Sequence, residues 1–330
     1  MGLVDDFPAD PFTPSLRYAA TCQLPLSLPW GCVPVDLGTP LLVSRQKDVE
    51  SRLDKERNAF SSESLRSSRL VFTSGAMGEV SGADTSGASS SSSHMDFSIA
   101  AQVGGSLLGA EGRVKYEESA SSNSSNVQSS FRSTYRSGTV RFLQDPELST
   151  QALSILRSKN RATAEQAFKD AYGEYYVAAY ILGGSNATML AGATAAESYS
   201  QSIHAEITIK ILFARIDASF DKYEQSGYSS AVGSLAGYDT LERVALDLGD
   251  GKAEPASFSE IIEKATANRA RGDTLVNRAE AKMREAGLDH DAIVSWQKCE
   301  EICRAGLVVE LLLLPYSGLR QYIEALHTRV

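Results

Sequence analysis

The stretch YGEYYVAAYILGGSNATMLAGA, residues 172–193, decides how the rest of the chain is read. It is rich in aromatic and β-branched residues, which predicts a strand over most of its length. Gly183 and Gly184 stand side by side in its middle. Glycine inside a strand weakens it and marks a bulge, a bend or a close backbone approach. Both a static bulge and a working bend fit the pair.

The composition around this stretch sets bounds. The chain has 330 residues, 42% hydrophobic and 22% charged, with a net charge of -9 and a pI of about 5.1. That is material for one large domain or two small ones. The negative charge speaks against nucleic acid, where Lys and Arg must neutralise phosphates. It speaks equally against capture by an anionic membrane through charge alone, and is silent on neutral or sterol-rich bilayers. The first residues, MGLVDDFPADPFTPS, lack the basic and apolar regions of a secretory signal, and Asp6 stands where myristoylation wants Ser or Thr. The expectation is a chain that is cytoplasmic as made and released by a non-classical route. No run approaches the ~20 apolar residues of a membrane-spanning helix. The longest, LVVELLLL at 307–314, contains Glu310 and reads as a buried strand. Cys22, Cys32, Cys299 and Cys303 have no His or Cys partners at ligand spacing, so they read as free thiols, with no metal and no cofactor implied.

Residues 1–40 carry Pro8, Pro11, Pro14, Pro25, Pro29, Pro34 and Pro40 and predict a Pro-rich N-terminal arm, extended over the surface of a single domain at 41–330. VESRLDKERNAF (49–60) is a short helix or turn, and RSSRLVFTSG (66–75) a strand. The Ser/Gly tract 81–93 reads as a flexible loop. Residues 96–119 are small-residued and fit helix or strand. VQSSFRSTYRSGTVRF (127–142) alternates as a long strand with one polar face. Helices follow, with Ser149 as a cap and Thr163 with Gln166 as a capping box. Later, Ser257 with Glu260 caps a helix, 277–287 ends one on Gly287, and DHDAIVSWQKCEEICRAG (289–306) is another, with Asp289-His290-Asp291 at its start. The order is α+β with long antiparallel strands.

Residues 202–225, SIHAEITIKILFARIDASFDKYEQ, fit two templates. With period two, Ile203, Ala205, Ile207, Ile209, Ile211 and Phe213 share one face, and His204, Glu206, Thr208 and Lys210 the other. That length suits a tilted strand crossing a bilayer. With helical period, Ile203, Ile207 and Ile211 line up beside Ile209, Leu212, Phe213, Ile216 and Phe220.

The spacing Tyr172-Gly173, the aromatic Tyr176, six residues, then Gly183-Gly184 resembles the signature of the pore-forming family shared by the complement membrane-attack proteins, perforin and the cholesterol-dependent cytolysins (MACPF/CDC). Glu174 and Tyr175 depart from it. The stretches GRVKYEESASSNSSNVQSSFRSTYRSGTVRF, SFSEIIEKA and ELLLLPYSGLRQYIEAL resemble the pore-forming domain of the stonefish toxins (stonustoxin) and related leaderless fungal proteins, over roughly residues 40–330. The resemblance implies a bent four-stranded antiparallel sheet with the glycine pair at its bend. It implies two flanking helical clusters, here about 76–125 and 197–230, each refolding into a membrane-inserting hairpin. Ile203, Ile207, Ile209, Ile211 and Phe213 are then the membrane-insertion candidates. It further implies a perforin-like cytolysin or toxin that forms a homo-oligomer on a lipid membrane.

The alternative class is a non-lytic interaction or signalling protein with the same fold, brought to a membrane by a separate targeting partner. The scattered His94, His204, His290 and His327, and the lack of a Gly-Lys-Ser/Thr after Gly104-Gly105, give no catalytic constellation, so no enzyme is expected.

Overall fold

The computed structural model describes residues 18, 21–43, 53–75, 80–86, 127–158, 160–193, 232–248, 258–288 and 290–328. The described residues are α+β, built on antiparallel strand pairs. Contacts divide the chain into two units. One holds Phe12–Gly78, Arg136–Gly183 and Glu280–Val330; the other holds Met1–Pro11, Glu79–Tyr135 and Gly184–Ala279.

The first is an aromatic unit. Its strands are β1 (Leu26–Pro29), β2 (Pro40–Leu41), β3 (Leu70–Ser74), β9 (Ala292–Val294), β10 (Val308–Pro315), and parts of β5 (Val127–Phe142) and β6 (Tyr175–Ala193). Their order is β1-β10-β6-β5-β3-β9, with β2 also on β6. The sheet therefore carries short strands beyond the four expected. β10 has β1 on one edge and β6 on the other, and most of VVELLLLP is buried, which is why it reads as a continuous apolar run. Glu310 survives inside that run because it is paired. Ser27 Oγ donates to it at 2.7 Å, and Arg136 from β5 donates through Nε at 3.0 Å and through Nη2. A buried charge without such partners would cost several kcal/mol.

Residues 21–43 do more than cover a surface. They supply β1 and β2 and bury Leu28, Trp30, Leu37, Leu41 and Leu42.

The helices of this unit are α1 (Ser62–Ser67), α2 (Thr150–Leu156), α3 (Arg161–Tyr172), part of α5 (Leu275–Glu285), α6 (Trp296–Arg304) and α7 (Arg320–His327). Ser149 caps α2 as expected, accepting from Ala152 N. The capping box at Thr163 does not form. Asn160 caps α3 instead, accepting from Thr163 N, so the helix starts earlier. The helix expected from 289 begins only at Trp296, capped by Ser295. The residues before it form β9, because Ala292–Val294 pair with β3, and Asp291 accepts from Ser74 N at 2.8 Å. Asp291 thus ends a strand pair and does not open a helix. Phe60, Phe168, Tyr172, Tyr176, Tyr316 and Tyr322 form the core. Phe60–Tyr176 and Phe168–Tyr322 meet edge to face with ring centroids 5.0 Å apart. Each such pair contributes about 0.5–1.5 kcal/mol beyond its buried area.

The second is a hairpin unit. β4 (Val80–Ser86) pairs β5, and β6 pairs β7 (Val232–Asp239), which pairs β8 (Val244–Leu248). α4 (Phe258–Asp273) and the start of α5 complete it. Of the segments expected to be helical clusters, about 76–125 and 197–230, residues 76–79 and 87–125 and the whole of the second lie outside the described residues, whereas 80–86 of the first is the strand β4.

Gly173 tests the backbone reading directly. It caps α3 at φ 82°, and a Cβ there would lie 2.5 Å from Leu41 O, a backbone atom that cannot move aside. Gly287 has φ 70° but open space around it. Gly173→Ala should lower stability by at least about 2 kcal/mol and Gly287→Ala by only about 1 kcal/mol, measured by urea unfolding. Equal costs would contradict the close approach to Leu41.

Candidate functional site around the glycine pair

β6 changes partner at the glycines. Tyr175 to Leu182 pair with β10, and Asn186 to Ala193 pair with β7. The boundary between the two units falls between Gly183 and Gly184. Gly183 is extended, at φ 159°, and its N–H donates to Leu307 O at 2.8 Å. The register irregularities of β6 with β10 lie nearby, at Val308/Glu310 and Leu312/Leu313, and not at the glycines themselves.

Gly184 has a packing reason. A Cβ on it would lie 2.8 Å from Leu241 Cδ1 and 2.9 Å from Leu275 Cδ1. Those leucines come from the β7–β8 turn and the first turn of α5, and both are buried. Here glycine permits a close approach of other residues to the strand.

A buried polar seam follows along β6. Ser185 N donates to Thr240 Oγ1 at 2.9 Å, and its hydroxyl shares hydrogen bonds with Thr134 and Tyr238. Asn186 Nδ2 donates to Asp239 Oδ2 at 3.0 Å and to Asn268 Oδ1 at 3.1 Å. Asn268 on α4 donates to Ala187 O and Thr188 Oγ1. Arg278 on α5 donates to Asp239 through Nη2 at 2.6 Å and Nη1 at 3.1 Å, to Glu242 Oε1, and to Arg271 O. Burial alone pushes the Asp239 carboxyl up. The hydrogen bonds from Arg278, Asn186 and Glu242 N–H outweigh it and hold the group below the usual aspartate range. The seam ties α4, α5 and the end of β7 to residues 185–188 of β6. It holds elements in place and contains no nucleophile with a base.

The expected signature residues divide between the units. Tyr172, Gly173 and Tyr176 lie in the aromatic unit, the two tyrosines in its core, as does Gly183; Gly184 opens the hairpin unit's part of β6. The residues that depart from the signature tie down other segments. Glu174 Oε2 accepts from Val43 N at 2.9 Å, and Tyr175 OH donates to Leu24 O at 2.9 Å. Burial raises the Glu174 carboxyl despite that bond, and pushes the Tyr175 hydroxyl to about 12. Ile203, Ile207, Ile209, Ile211 and Phe213 lie outside the described residues. Asn186, Asp239, Asn268 and Arg278 escaped the sequence reading. An amide in an apolar strand was the single clue. Among the described residues no group of His, Cys, Asp and Glu is placed to hold a metal ion, and no helix is long and apolar enough to cross a membrane. Cys299 and Cys303 are buried free thiols, and burial pushes them to about 12 and about 11.

No family model and no curated protein sequence matches the chain. Among solved structures it is similar to GNIP1Aa from Chromobacterium piscinae, at 12% identity and TM-score 0.35, over 91% of this chain and 55% of that one. It is similar to pneumolysin at 8% identity and TM-score 0.41, over 88% and 59%. It is also similar to a Bacteroides thetaiotaomicron protein with a MAC/Perforin domain, at 9% identity and TM-score 0.31, over 88% and 58%. The chain thus spans less than two thirds of each of these structures.

Two outcomes check the site. Gly184→Ala should destabilise by about 1–3 kcal/mol through overpacking, and Leu241→Val in the same chain should recover part of the loss. Independent, additive costs in that double-mutant cycle would contradict the contact. Asp239, whose folded-state pKa is depressed, contributes stability that is fully present above its ordinary value of 3.8 and is lost as pH falls through the lower folded value. Asp239→Ala should cost about 3–5 kcal/mol at neutral pH, because it strands Arg278. It should also shrink the acid-induced loss seen in denaturant titrations below that pH. An unchanged acid limb would place the acid-sensitive group elsewhere.

Proposed function

We propose that the chain is a pore-forming subunit that assembles as a homo-oligomer on a lipid membrane and inserts residues 87–126 and 194–231 as two amphipathic β-hairpins. The observation that carries this reading is the register of the strands from which those segments leave. In β6–β7 the partners run without a shift from Asn186↔Asp239 to Ala193↔Val232, so their numbers always add to 425. In β4–β5 they run from Val80↔Tyr135 to Ser86↔Ser129, always adding to 215. Each segment therefore leaves and re-enters an antiparallel pair that is already hydrogen-bonded.

Carried outward at the same register, the second pair would match Ala205 with Phe220, Ile207 with Ala218, Ile209 with Ile216 and Ile211 with Ala214. The other face would match His204 with Asp221, Glu206 with Ser219, Thr208 with Asp217 and Lys210 with Arg215, with the turn at Leu212-Phe213. The first pair would match Ile99 with Tyr116, Ala101 with Val114 and Val103 with Gly112. Its opposite face would match Asp96 with Ser119, Ser98 with Glu117 and Gln102 with Arg113, with the turn at Leu107-Leu108. A slip of one residue either way would set Ala205, Ile207 and Ile209 against polar residues of the returning strand. Over Ala205–Ile211 and Ala214–Phe220 this parity keeps one face apolar for lipid and the other polar for a water-filled lumen, whereas the flanking pairs Ile203 with Lys222 and, in the first hairpin, Phe97 with Glu118 set an apolar side chain against a charge. The resemblance of Tyr172-Gly173…Gly183-Gly184 to the perforin signature supports the same reading.

Dye release from liposomes, with and without sterol or sphingolipid, tests it. Lys at Ile209 or Ile216 faces lipid and should cost about 2–4 kcal/mol per subunit at the midplane, enough round a ring to abolish release. Lys at Thr208 or Ser219 faces water and should leave release largely intact. Each variant is first shown to unfold at the parent's temperature. Equal leakage from all four variants would overturn the hairpin assignment. A parent that leaks no lipid mixture, alone or with cell extract as a source of a targeting protein, would overturn the pore reading in favour of a non-lytic role.

A further inference from the structure

One edge of the aromatic unit's sheet leaves apolar side chains uncovered. Val71 on β3 lies opposite Arg141 on β5 and opposite Ile293 on β9, so these three share one face. The other face of the same strands holds Leu70, Phe142 and Val294, all buried. Leu143 continues the row, since it follows Arg141 by two residues and its N–H donates to Arg69 O at 2.9 Å. Ile293 is 70% exposed and Leu143 49%, Val71 is half-buried, and Arg69 and Arg141 are exposed. β9 is the last strand of the sheet, and no described strand pairs with its outer edge. Natural edge strands carry charge, proline or a cover against association, and a β-branched aliphatic side chain in the open is the reverse. The two arginines make no ion pair among the described residues. The neighbouring Asp291 carboxylate is engaged, accepting from Ser74 N at 2.8 Å and from Ser74 Oγ at 3.2 Å. The patch is thus apolar at its centre, basic at its side and open along one strand edge.

A segment of matching chemistry precedes β1. Residues 3–12, LVDDFPADPF, carry three carboxylates, no Lys or Arg, and the apolar Leu3, Val4, Phe7 and Phe12. Between it and β1, Tyr18 and Leu24 are themselves exposed apolar side chains, at 68% and 45%. In the order β1-β10-β6-β5-β3-β9, β1 is the opposite terminal strand from β9, five steps of about 4.8 Å away. The segment therefore enters the sheet at the edge farthest from the patch, the edge that meets the patch of a copy set beside it. We propose that the β3–β9 patch binds the segment before β1 of a second copy of this chain. The carboxylates of Asp5, Asp6 and Asp10 lie at Arg69 and Arg141, and the apolar side chains cover Val71, Leu143 and Ile293. Arginine forks take carboxylates with paired, charge-assisted hydrogen bonds. Pro8 and Pro11 remove N–H donors, so side chains and not a continuous ladder make the contact. Two different surfaces meet, so the contact repeats from copy to copy and closes a ring where the rotation allows. It rests on the homo-oligomer of the proposed function but needs no hairpin insertion.

The test is cross-linking between two single-site variants of the full chain, in solution and on phosphatidylcholine–cholesterol liposomes. Cys22 and Cys32 are replaced by serine throughout, which leaves the buried Cys299 and Cys303. One variant carries Ala9→Cys and the other Ile293→Cys. A short bismaleimide should join the two variants to each other, and neither to itself. A Glu324→Cys variant, on an exposed face of α7, should not be joined to the Ala9→Cys chain. Arg69→Glu with Arg141→Glu in the Ile293→Cys partner should lower the cross-linked yield by about tenfold or more. Asp5→Lys, Asp6→Lys and Asp10→Lys in the Ala9→Cys partner should then restore it, a rescue that a misfolded partner would not give. A cross-link found only within one chain that carries both cysteines overturns the proposal, because the segment then lies on its own sheet. A yield indifferent to charge reversal overturns it too. So does the absence of any cross-link between copies; dye release retained by the parent in that case leaves the pore reading standing. Cross-linking between copies with no dye release from any lipid mixture sustains the contact and counts against the pore reading alone.

Discussion

A strand has two hydrogen-bonding edges, and β6 uses one of them for two partners in succession. Over Tyr175–Leu182 it pairs with β10, and over Asn186–Ala193 with β7. The changeover needs a few residues that belong to neither ladder. At that place Gly183 donates to Leu307 O, Ser185 O accepts from Thr240 N, and Gly184 leaves room for Leu241 and Leu275. A side chain at 184 would push apart the turn and the helix that cover the strand. The glycine pair thus answers to packing and to partner exchange; neither residue there sits in a left-handed conformation.

The polar seam beyond the glycines is the other consequence of that exchange. Once β6 leaves the apolar environment of β10, its next residues are Ser185, Asn186 and Thr188, all buried. Buried polar groups must be matched, and they are matched by residues from several elements: Asp239 at the end of β7 with Thr240 just beyond it, Asn268 on α4 and, through Asp239, Arg278 on α5. Such a network specifies one arrangement, because any displaced member leaves the others unsatisfied. The same logic accounts for Glu310 in β10, where Arg136 and Ser27 make an acidic residue tolerable between leucines.

What could be read from the sequence, and what could not, follows the range of the interactions. β5, β6 and β10 are long, and their alternation or apolar run is a local signal. Ser149 acts on its own helix end and was equally visible. β9 was hidden, since Ala292–Val294 are held extended only by pairing with Leu70–Phe72, far away in sequence. Asn160 took the cap of α3 from Thr163, a choice of a few residues that composition does not settle. The seam joins positions 186, 239, 268 and 278, and no local pattern marks residues that meet only in three dimensions. β1 and β2 were hidden, because they come from Pro-rich sequence whose strand character lies in its partners.

The register of the two hairpin stems reaches furthest toward function, because it commits residues 203–221 to a phase. If β6–β7 pairing extends into a membrane at its observed register, the lipid-facing positions are odd-numbered before the turn at Leu212-Phe213 and even-numbered after it. A helix would give a period near 3.6 with no such reversal. The direct measurement places a polarity-sensitive fluorophore on single cysteines introduced one at a time from 203 to 221, in a chain whose exposed native thiols are replaced, and compares each with and without liposomes. The prediction is blue-shifted emission at 205, 207, 209 and 211, then at 214, 216, 218 and 220, with water-like emission at the positions between. A helical period, an alternation that keeps the same parity across the turn, or no change with liposomes at any position would contradict it.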